Sequence, residues 1–387
     1  MIENRFNDTD AKGLDALEMR VYTSRLLGSD QDLVLHGGGN TSVKIDDLLY
    51  VKGSGWDLGS IEKEGFSPTK TDTLLSLLEY DTLSDSEMVR YQKEALTDKS
   101  APNPSIEAIL HASIPYRFVD HTHADAIVTI SNTVNGKALI ESLYGENYLI
   151  VPYVMPGFEL AKVIYEMTRD IKWENLEGMI LLNHGVFTFD DNAKASYDKM
   201  IETVARAESY LADNAPLDIE VSQEEISFDP GSLRSLLSEA KGYDVTLQLN
   251  RSPLARYFAS QSDETLYRKG ILTPEHIIRT KRFPAVFDSD YRAELETYIK
   301  NYESYFTRHA RGEAMLNPAP NWAVVRGVGT LSIGRNEKEV GIIEDITSHT
   351  MKAILQGEKL GGYRSIDEGD SFAMEYWELE QMKLKGK

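Results

Sequence analysis

The chain has no cysteine among its 387 residues, which excludes disulfides and thiolate metal ligands together. Positive charge is scarce: 41 Lys and Arg stand against 62 Asp and Glu, for a formal net charge of -21. A surface of that sign argues against nucleic acid or an anionic membrane as partner. No apolar run approaches the length of a membrane span, and no apolar signal segment opens the chain, so a cytoplasmic location is expected. Internal repeats and low-complexity tracts are missing. No Walker or dinucleotide-type glycine fingerprint occurs, which argues against a bound nucleotide. What is left is an ordinary globular composition, 41% hydrophobic, with room for two or three domains.

The histidines carry the chemistry. His121 and His123 lie in an apolar run, 118–130, that reads as a buried strand. Residues two apart on a strand share a face and can grip one cation. His184 follows a second apolar run, 178–182. Each histidine alone has an ordinary explanation as a hydrogen-bonded core ring, but buried polar rings are costly in numbers without a purpose. Three imidazoles make a site with an open coordination position. In a chain without thiolates, that donor set suits a divalent metal, zinc first, with cobalt, manganese or iron as substitutes.

Glu107 is the base nearest that run, read as one turn into a short helix over 105–112 that follows Pro102-Asn103-Pro104. Standing alone it is a first-turn carboxylate favoured by the helix dipole, or the partner of His111 four residues on. Beside a cation it would serve in proton transfer at carbon. Upstream, Gly37-Gly38-Gly39-Asn40-Thr41-Ser42 could be a plain turn or a nest of backbone N–H groups for an anion. Lys52-Gly53-Ser54-Gly55 and Ser105 add two more turns with hydroxyl groups. An anion in such a chain must be held by local N–H and hydroxyl donors, against the overall field.

The pattern along the chain alternates helix and strand. A first helix capped by Asp8 or Asp10 is expected to run to Leu27, with Leu14, Leu17, Val21 and Leu26 inward. Strands are expected at 41–45, 48–51, 118–130, 148–151 and 178–189, and helices at 72–78, 85–96, 137–144, 158–170 and 191–212. The segment 213–230 reads as a connection. Beyond it come strands at 245–249, 322–325 and 330–333, and helices at 291–306, 338–355 and 372–383. The domains expected are therefore 1–225, carrying the histidines, and 226–387, of unknown role. Arg279 and Lys281 read as solvated surface charges, or else as basic groups at the mouth of the site.

In order along the chain, Gly-Gly-Gly-Asn-Thr-Ser-Val-Lys (37–44), Lys-Gly-Ser-Gly (52–55), Pro-Ser-Ile-Glu (104–107), His-Thr-His-Ala-Asp-Ala (121–126) and Asn-His-Gly-Val-Phe-Thr (183–188) resemble the class II aldolase/adducin family. The resemblance implies a three-layer α/β/α sandwich around a mixed, largely antiparallel sheet, assembled as a homotetramer. It implies His121, His123 and His184 as zinc ligands, Glu107 as acid/base, and Gly39, Asn40, Ser54, Gly55 and Ser105 as the pocket for a substrate phosphate. Where relatives often carry a second serine after Ser105, this chain has Ile106. The second region, through 272–281 and 375–384, resembles the aldolase half of bifunctional rhamnulose-1-phosphate aldolase/short-chain alcohol dehydrogenases. No Gly-x-x-x-Gly-x-Gly turn is present, so no NAD dependence is expected. The implied reaction is metal-dependent cleavage of a small phosphorylated sugar, a ketose 1-phosphate such as L-rhamnulose 1-phosphate. Its products would be dihydroxyacetone phosphate and a hydroxyaldehyde such as lactaldehyde. The alternatives within the fold are a sugar-phosphate epimerase or a dehydratase, and outside catalysis an adducin-like binding protein.

Overall fold

A computed structural model of the chain describes residues 1–221 and 226–385. The chain forms two compact units, Met1–Ser131 with Asn135–Ala212, and Asn132–Val134 with Asp213–Lys387. The boundary expected at 225/226 falls against residues outside the described set, as does part of the expected 213–230 connection. No described helix is long and apolar enough to cross a membrane.

The first unit contains α1 (Ala16–Gly28), β1 (Asn40–Ile45), β2 (Leu48–Lys52), β3 (Phe66–Lys70), α2 (Thr71–Ser76), α3 (Asp85–Ala95) and α4 (Ala108–Ser113). It continues with β4 (Phe118–Thr122), α5 (Asp125–Ser131), α6 (Gly136–Tyr144), β5 (Tyr148–Val151), α7 (Phe158–Thr168), β6 (Gly178–Leu181), β7 (Gly185–Asp190) and α8 (Ala193–Asn214). Its seven strands lie in the order β3-β2-β1-β4-β7-β6-β5. All neighbours are antiparallel except the β5–β6 pair. This is the mixed, largely antiparallel sheet that the resemblance implies.

Alternation along β1 shows how the layers form. Asn40, Ser42 and Lys44 face α4: Ser42 and Asn40 bond the His111 ring, and Lys44 Nζ donates to the carbonyls of His111, Ile114 and Tyr116. The intervening Thr41 turns to the opposite face, where its hydroxyl meets Ser24 of α1 at 2.8 Å. A period of two thus docks one helix on each side of the strand.

Four expectations are corrected. Helix α1 starts at Asp15, not Asp8 or Asp10, in a capping box with Glu18. The cap satisfies free backbone N–H groups reciprocally, and Gly13 at φ 83 interrupts the chain before it. Its buried residues are Arg20, Thr23, Ser24 and Leu27 rather than the aliphatic set, because Arg20 reaches through the layer to pair with Asp120. The run 118–130 is a strand followed by helix α5, and 178–189 is the β6–β7 hairpin. Every residue of α5 is buried, so its pattern carries no 3.6-residue alternation to set it apart from a buried strand.

The second unit contains α9 (Pro230–Lys241), β8 (Thr246–Asn250), α10 (Pro253–Ala259), α11 (Ile277–Thr280), β9 (Ala285–Phe287) and α12 (Tyr291–His309). Then follow β10 (Trp322–Val325), β11 (Gly329–Gly334), α13 (Glu337–Lys359), α14 (Glu368–Glu375) and α15 (Glu378–Lys385). Its sheet runs β8-β11-β10-β9, over a core that includes Leu233, Leu237, Phe287, Ala323, Leu331 and Ile333. Lys281 is not a solvated surface charge. It is buried, with its ammonium 3.4 Å from Glu375 and 3.7 Å from the centre of the Tyr302 ring. Burial pulls that ammonium below its ordinary value while Glu375 pulls it back up.

The Arg20–Asp120 pair lies wholly inside the first unit, with both side chains fully buried. Arg20 also donates to Thr23 Oγ1 at 2.6 Å, and the second Asp120 oxygen accepts from Ser196 of α8 at 2.5 Å. Breaking one half of such a pair strands the other charge out of water. Asp120→Ala should therefore cost about 3–5 kcal/mol, seen as a lower denaturant midpoint in urea unfolding. A midpoint within error of wild type would mean that Arg20 is not carrying an unpaired charge in the variant.

Candidate functional site

The three histidines converge from two separate segments of the chain. His121 is on the last part of β4, His123 lies just beyond its end, and His184 sits in the tight turn between β6 and β7, after Asn183 at φ 61. Their ring centroids are 4.9, 5.1 and 5.1 Å apart, and one ring nitrogen of each lies within 4.8 Å of the others. The Nε2 atoms of His121 and His123 approach to 3.1 Å.

These residues fit a divalent cation. His121 Nδ1 is 3.0 Å from the Val186 carbonyl, which can only accept, so Nδ1 carries the proton. In the neutral ring Nε2 is then a bare lone pair directed at the other two rings. The flat face of His121 stacks on Phe187 at 4.0 Å and 12°, which leaves the ring edge as the coordinating part. Three imidazoles in a near-equilateral set leave an open side, as a catalytic rather than a closed site requires.

Glu107 lies at that open side. It is buried, with Oε2 3.6 Å from His121 Nε2 and Oε1 3.8 Å from His184 Nε2. Glu107 occupies the N-cap position of α4, with φ -92 and ψ 10, and not a place one turn into the helix. Oε1 has no hydrogen-bond partner among the described residues, while Oε2 accepts from Asn40 Nδ2 at 2.6 Å. The direct Glu107–His111 pair expected from helix spacing does not form; Asn40 stands between the two, bonded to His111 Nε2 at 2.5 Å. Burial holds the His111 imidazole far below its usual protonation range, helped by His121, Lys44 and Arg20. Burial also pushes the Lys44 ammonium down to about 7, with Asp191 opposing; its three carbonyl acceptors stabilise the charged form.

The residues expected around a phosphate also come together. Asn40 Nδ2 is 3.2 Å from Ser105 Oγ. Ser105 N donates to the Lys52 carbonyl at 3.0 Å, and Ser54 N to the Asn103 carbonyl at 2.8 Å, so the 52–55 and 103–105 turns lie side by side. Ser54 and Gly55 are exposed, and Gly39, Asn40 and Ser105 are buried. Gly39 has φ 61, and a Cβ there would stand 2.7 Å from the His121 carbonyl. The glycine is needed both for its backbone angle and for the close approach.

Two contributors were given no role from sequence. Phe187, which backs both His121 and His111, lies within the quoted 183–188 motif but carries no polar group to flag it. Lys52, buried with Nζ 3.3 Å from the Gly37 carbonyl, puts a cation beside the glycine turn. The signal was a lone lysine between a strand and a Gly-Ser-Gly turn.

Gly185 is the second close approach. A Cβ there would sit 2.3 Å from the Thr122 carbonyl and 3.0 and 3.1 Å from the rings of His121 and His123. Gly185→Ala must push β7 away from β4, parting His184 from the other two. Zinc affinity should fall about 10–100-fold, the range seen when the support of metal ligands is disturbed. Calorimetric titration with Zn2+ checks this; unchanged affinity would mean that the strands separate without moving the rings.

Known proteins resemble the chain across both units. The family model described as class II aldolase and adducin N-terminal domain matches residues 18–211, and that described as aldolase class II, second domain, matches 230–384. A Bacillus subtilis (strain 168) protein named uncharacterized oxidoreductase YuxG is 30% identical over 407 aligned residues, covering 96% of this chain. The chain spans 58% of that relative's length. Among solved structures, the N-terminal class II aldolase domain of a conserved protein from Thermoplasma acidophilum is 41% identical, with a TM-score of 0.51, over 55% of this chain and 100% of that one. An L-fuculose-1-phosphate aldolase from Thermus thermophilus is 17% identical, with a TM-score of 0.35, over 51% of this chain and 95% of that one. With one family model over the histidine-bearing region and its companion over the rest, the chain belongs to the class II aldolase and adducin family.

Proposed function

We propose that the protein is a metal-dependent aldolase that splits a ketose 1-phosphate into dihydroxyacetone phosphate and a hydroxyaldehyde. L-Rhamnulose 1-phosphate, which would give lactaldehyde, is the first substrate to test. The observation that carries the reading is the convergence of three imidazole nitrogens beside a buried carboxylate with one oxygen lacking a hydrogen bond. His121, His123 and His184 hold the cation, for which zinc fits the all-nitrogen donor set. That cation supplies Lewis-acid polarisation of the sugar's oxygens. NAD has no part in the reaction.

The chain's own groups divide the remaining work. Glu107 moves the proton at the carbon that becomes nucleophilic, through the oxygen that no neighbour occupies. Gly39, Asn40, Ser54, Gly55 and Ser105 seat the phosphate, and Lys52 offsets part of its charge in an otherwise acidic molecule. Catalysis belongs to the first 225 residues. A cytoplasmic homotetramer is the expected working form.

A panel of ketose 1-phosphates, assayed with and without chelator, tests the proposal. Release of triose phosphate that stops with chelator and returns with Zn2+ is expected. An isomeric sugar phosphate would make the protein an epimerase, a diketone a dehydratase, and absence of both turnover and stoichiometric metal an adducin-like binding protein. Glu107→Gln should retain metal and lose about 10²–10⁴ of its kcat, the worth of a positioned acid/base group. Normal turnover in that variant would remove Glu107 from the reaction.

A further inference from the structure

Among the described residues, Asn40 gives the Glu107 carboxylate its one hydrogen bond, at 2.6 Å. Two imidazole nitrogens stand 3.6 and 3.8 Å from its oxygens. What holds Asn40 therefore decides where the carboxylate points. The amide could turn either way about its last torsion, and the two ends are chemically opposite. With the oxygen turned to Glu107, two acceptors would face each other in a buried site, which is costly. The Glu107 carboxylate therefore sets the amide with Nδ2 toward itself, and His111 holds the oxygen end in place. Its Nε2 stands 2.5 Å from Asn40 Oδ1, and its Nδ1 stands 2.8 Å from the Ser42 hydroxyl. An amide oxygen cannot donate, so Nε2 carries the proton and Nδ1 accepts from Ser42. The chain of bonds runs in one sense: Ser42 O–H to His111, His111 N–H to Asn40, Asn40 N–H to Glu107.

We propose that His111 is a positioning residue for Glu107, acting through Asn40 to keep one carboxylate oxygen fixed beside His121 and the other turned toward His184. This rests on the proton-carrying role of Glu107 given above. Three features support it. His111 is fully buried on α4, four residues after Glu107, and its ring packs edge-on against Phe187 with 5.5 Å between centroids. Asn40 and Ser42 occupy alternate positions of β1, so a single strand face presents both partners to the ring. Lys44, next on that face, bonds the His111 carbonyl at 3.0 Å and pins the helix backbone behind the ring. Asn40 also reaches Ser105 Oγ at 3.2 Å, so the same amide ties the turn proposed for phosphate to the carboxylate.

The test compares His111→Leu with His111→Gln in the full chain, loaded with Co2+ as probe. Glutamine can offer an amide N–H where Nε2–H stands; leucine fills space and offers nothing. Both variants are expected to bind Co2+ in wild-type stoichiometry. His111→Leu should shift the visible Co2+ absorption, because a carboxylate 3.6–3.8 Å from two ligand nitrogens changes the field at the cation when it moves. Its kcat should fall about 10–100-fold, and His111→Gln should recover most of the kcat and of the wild-type absorption. A residue that only fills the core would give the opposite ranking, leucine matching or exceeding glutamine, and that result overturns the proposal. If His111→Leu does not fold, Ser42→Ala removes the hydroxyl bonded to the ring's Nδ1 at 2.8 Å and should lower kcat in the same sense; wild-type kcat and absorption in Ser42→Ala overturn the relay. Should wild type cleave no ketose phosphate, the aldolase reading fails while the Co2+ spectra still decide the relay. A shift in leucine reversed by glutamine upholds it, and identical spectra reject it.

Discussion

The close packing of β4 between β1 and β7 is the constraint on which the site depends. Asn40 lies opposite His121 in one ladder and Phe187 lies opposite it in the other. At the upper end of the strand both neighbours press against its backbone. Gly39 leaves no room for a Cβ beside the His121 carbonyl, and Gly185 leaves none beside the Thr122 carbonyl. Antiparallel pairing fixes register, and register fixes which side chains share a face. Once β4 is seated, the His121 ring has Phe187 along its face and the Asn40–Glu107 pair at its edge. The chain then leaves the strand at His123, while the β6–β7 turn delivers His184 to the same point.

The strand is held from below by a second device. Asp120, next to His121, points to the other face and pairs with Arg20 of α1. Its remaining oxygen accepts from Ser196 of α8. A buried ion pair of this kind adds little net stability, but it is intolerant of displacement because each charge depends on the other. One face of β4 thus carries an anchoring salt bridge and the other an imidazole, one residue apart. The same economy appears in β1, where Thr41 meets α1 while Asn40, Ser42 and Lys44 meet α4.

Much of the site was legible from residue types and order. Three histidines, a carboxylate and three glycine or hydroxyl turns are unusual enough to be noticed without coordinates, and the structure brings them to one place. The hairpins and most amphipathic helices were also readable, because a half-buried element keeps its period. Errors gathered where burial is complete. Helix α5 and the β6–β7 hairpin have no exposed side to interrupt the apolar run, so the pattern alone points to strand where a helix and a turn form. The inward face of α1 departs from the aliphatic pattern for the converse reason: Arg20 and Ser24 are buried there, held by Asp120 and Thr41 of other elements. Lys281 was misplaced on the same ground, since Glu375 and Tyr302, which make its burial tolerable, are distant in sequence.

The amino-acid sequence by itself determined the chemical inventory: nitrogen and oxygen donors without thiolates, glycines where two backbones must nearly touch, and a strong excess of acidic over basic residues. Tertiary structure alone decided how that inventory is wired. Whether His111 bonds Glu107 or reaches it through Asn40 depends on β1 lying against α4, a contact between segments about seventy residues apart. Helix spacing describes neighbours on one element only. Hydrogen-bond direction and the protonated nitrogen of each imidazole are set by what stands across the gap, and that is known only when the strands and helices have packed.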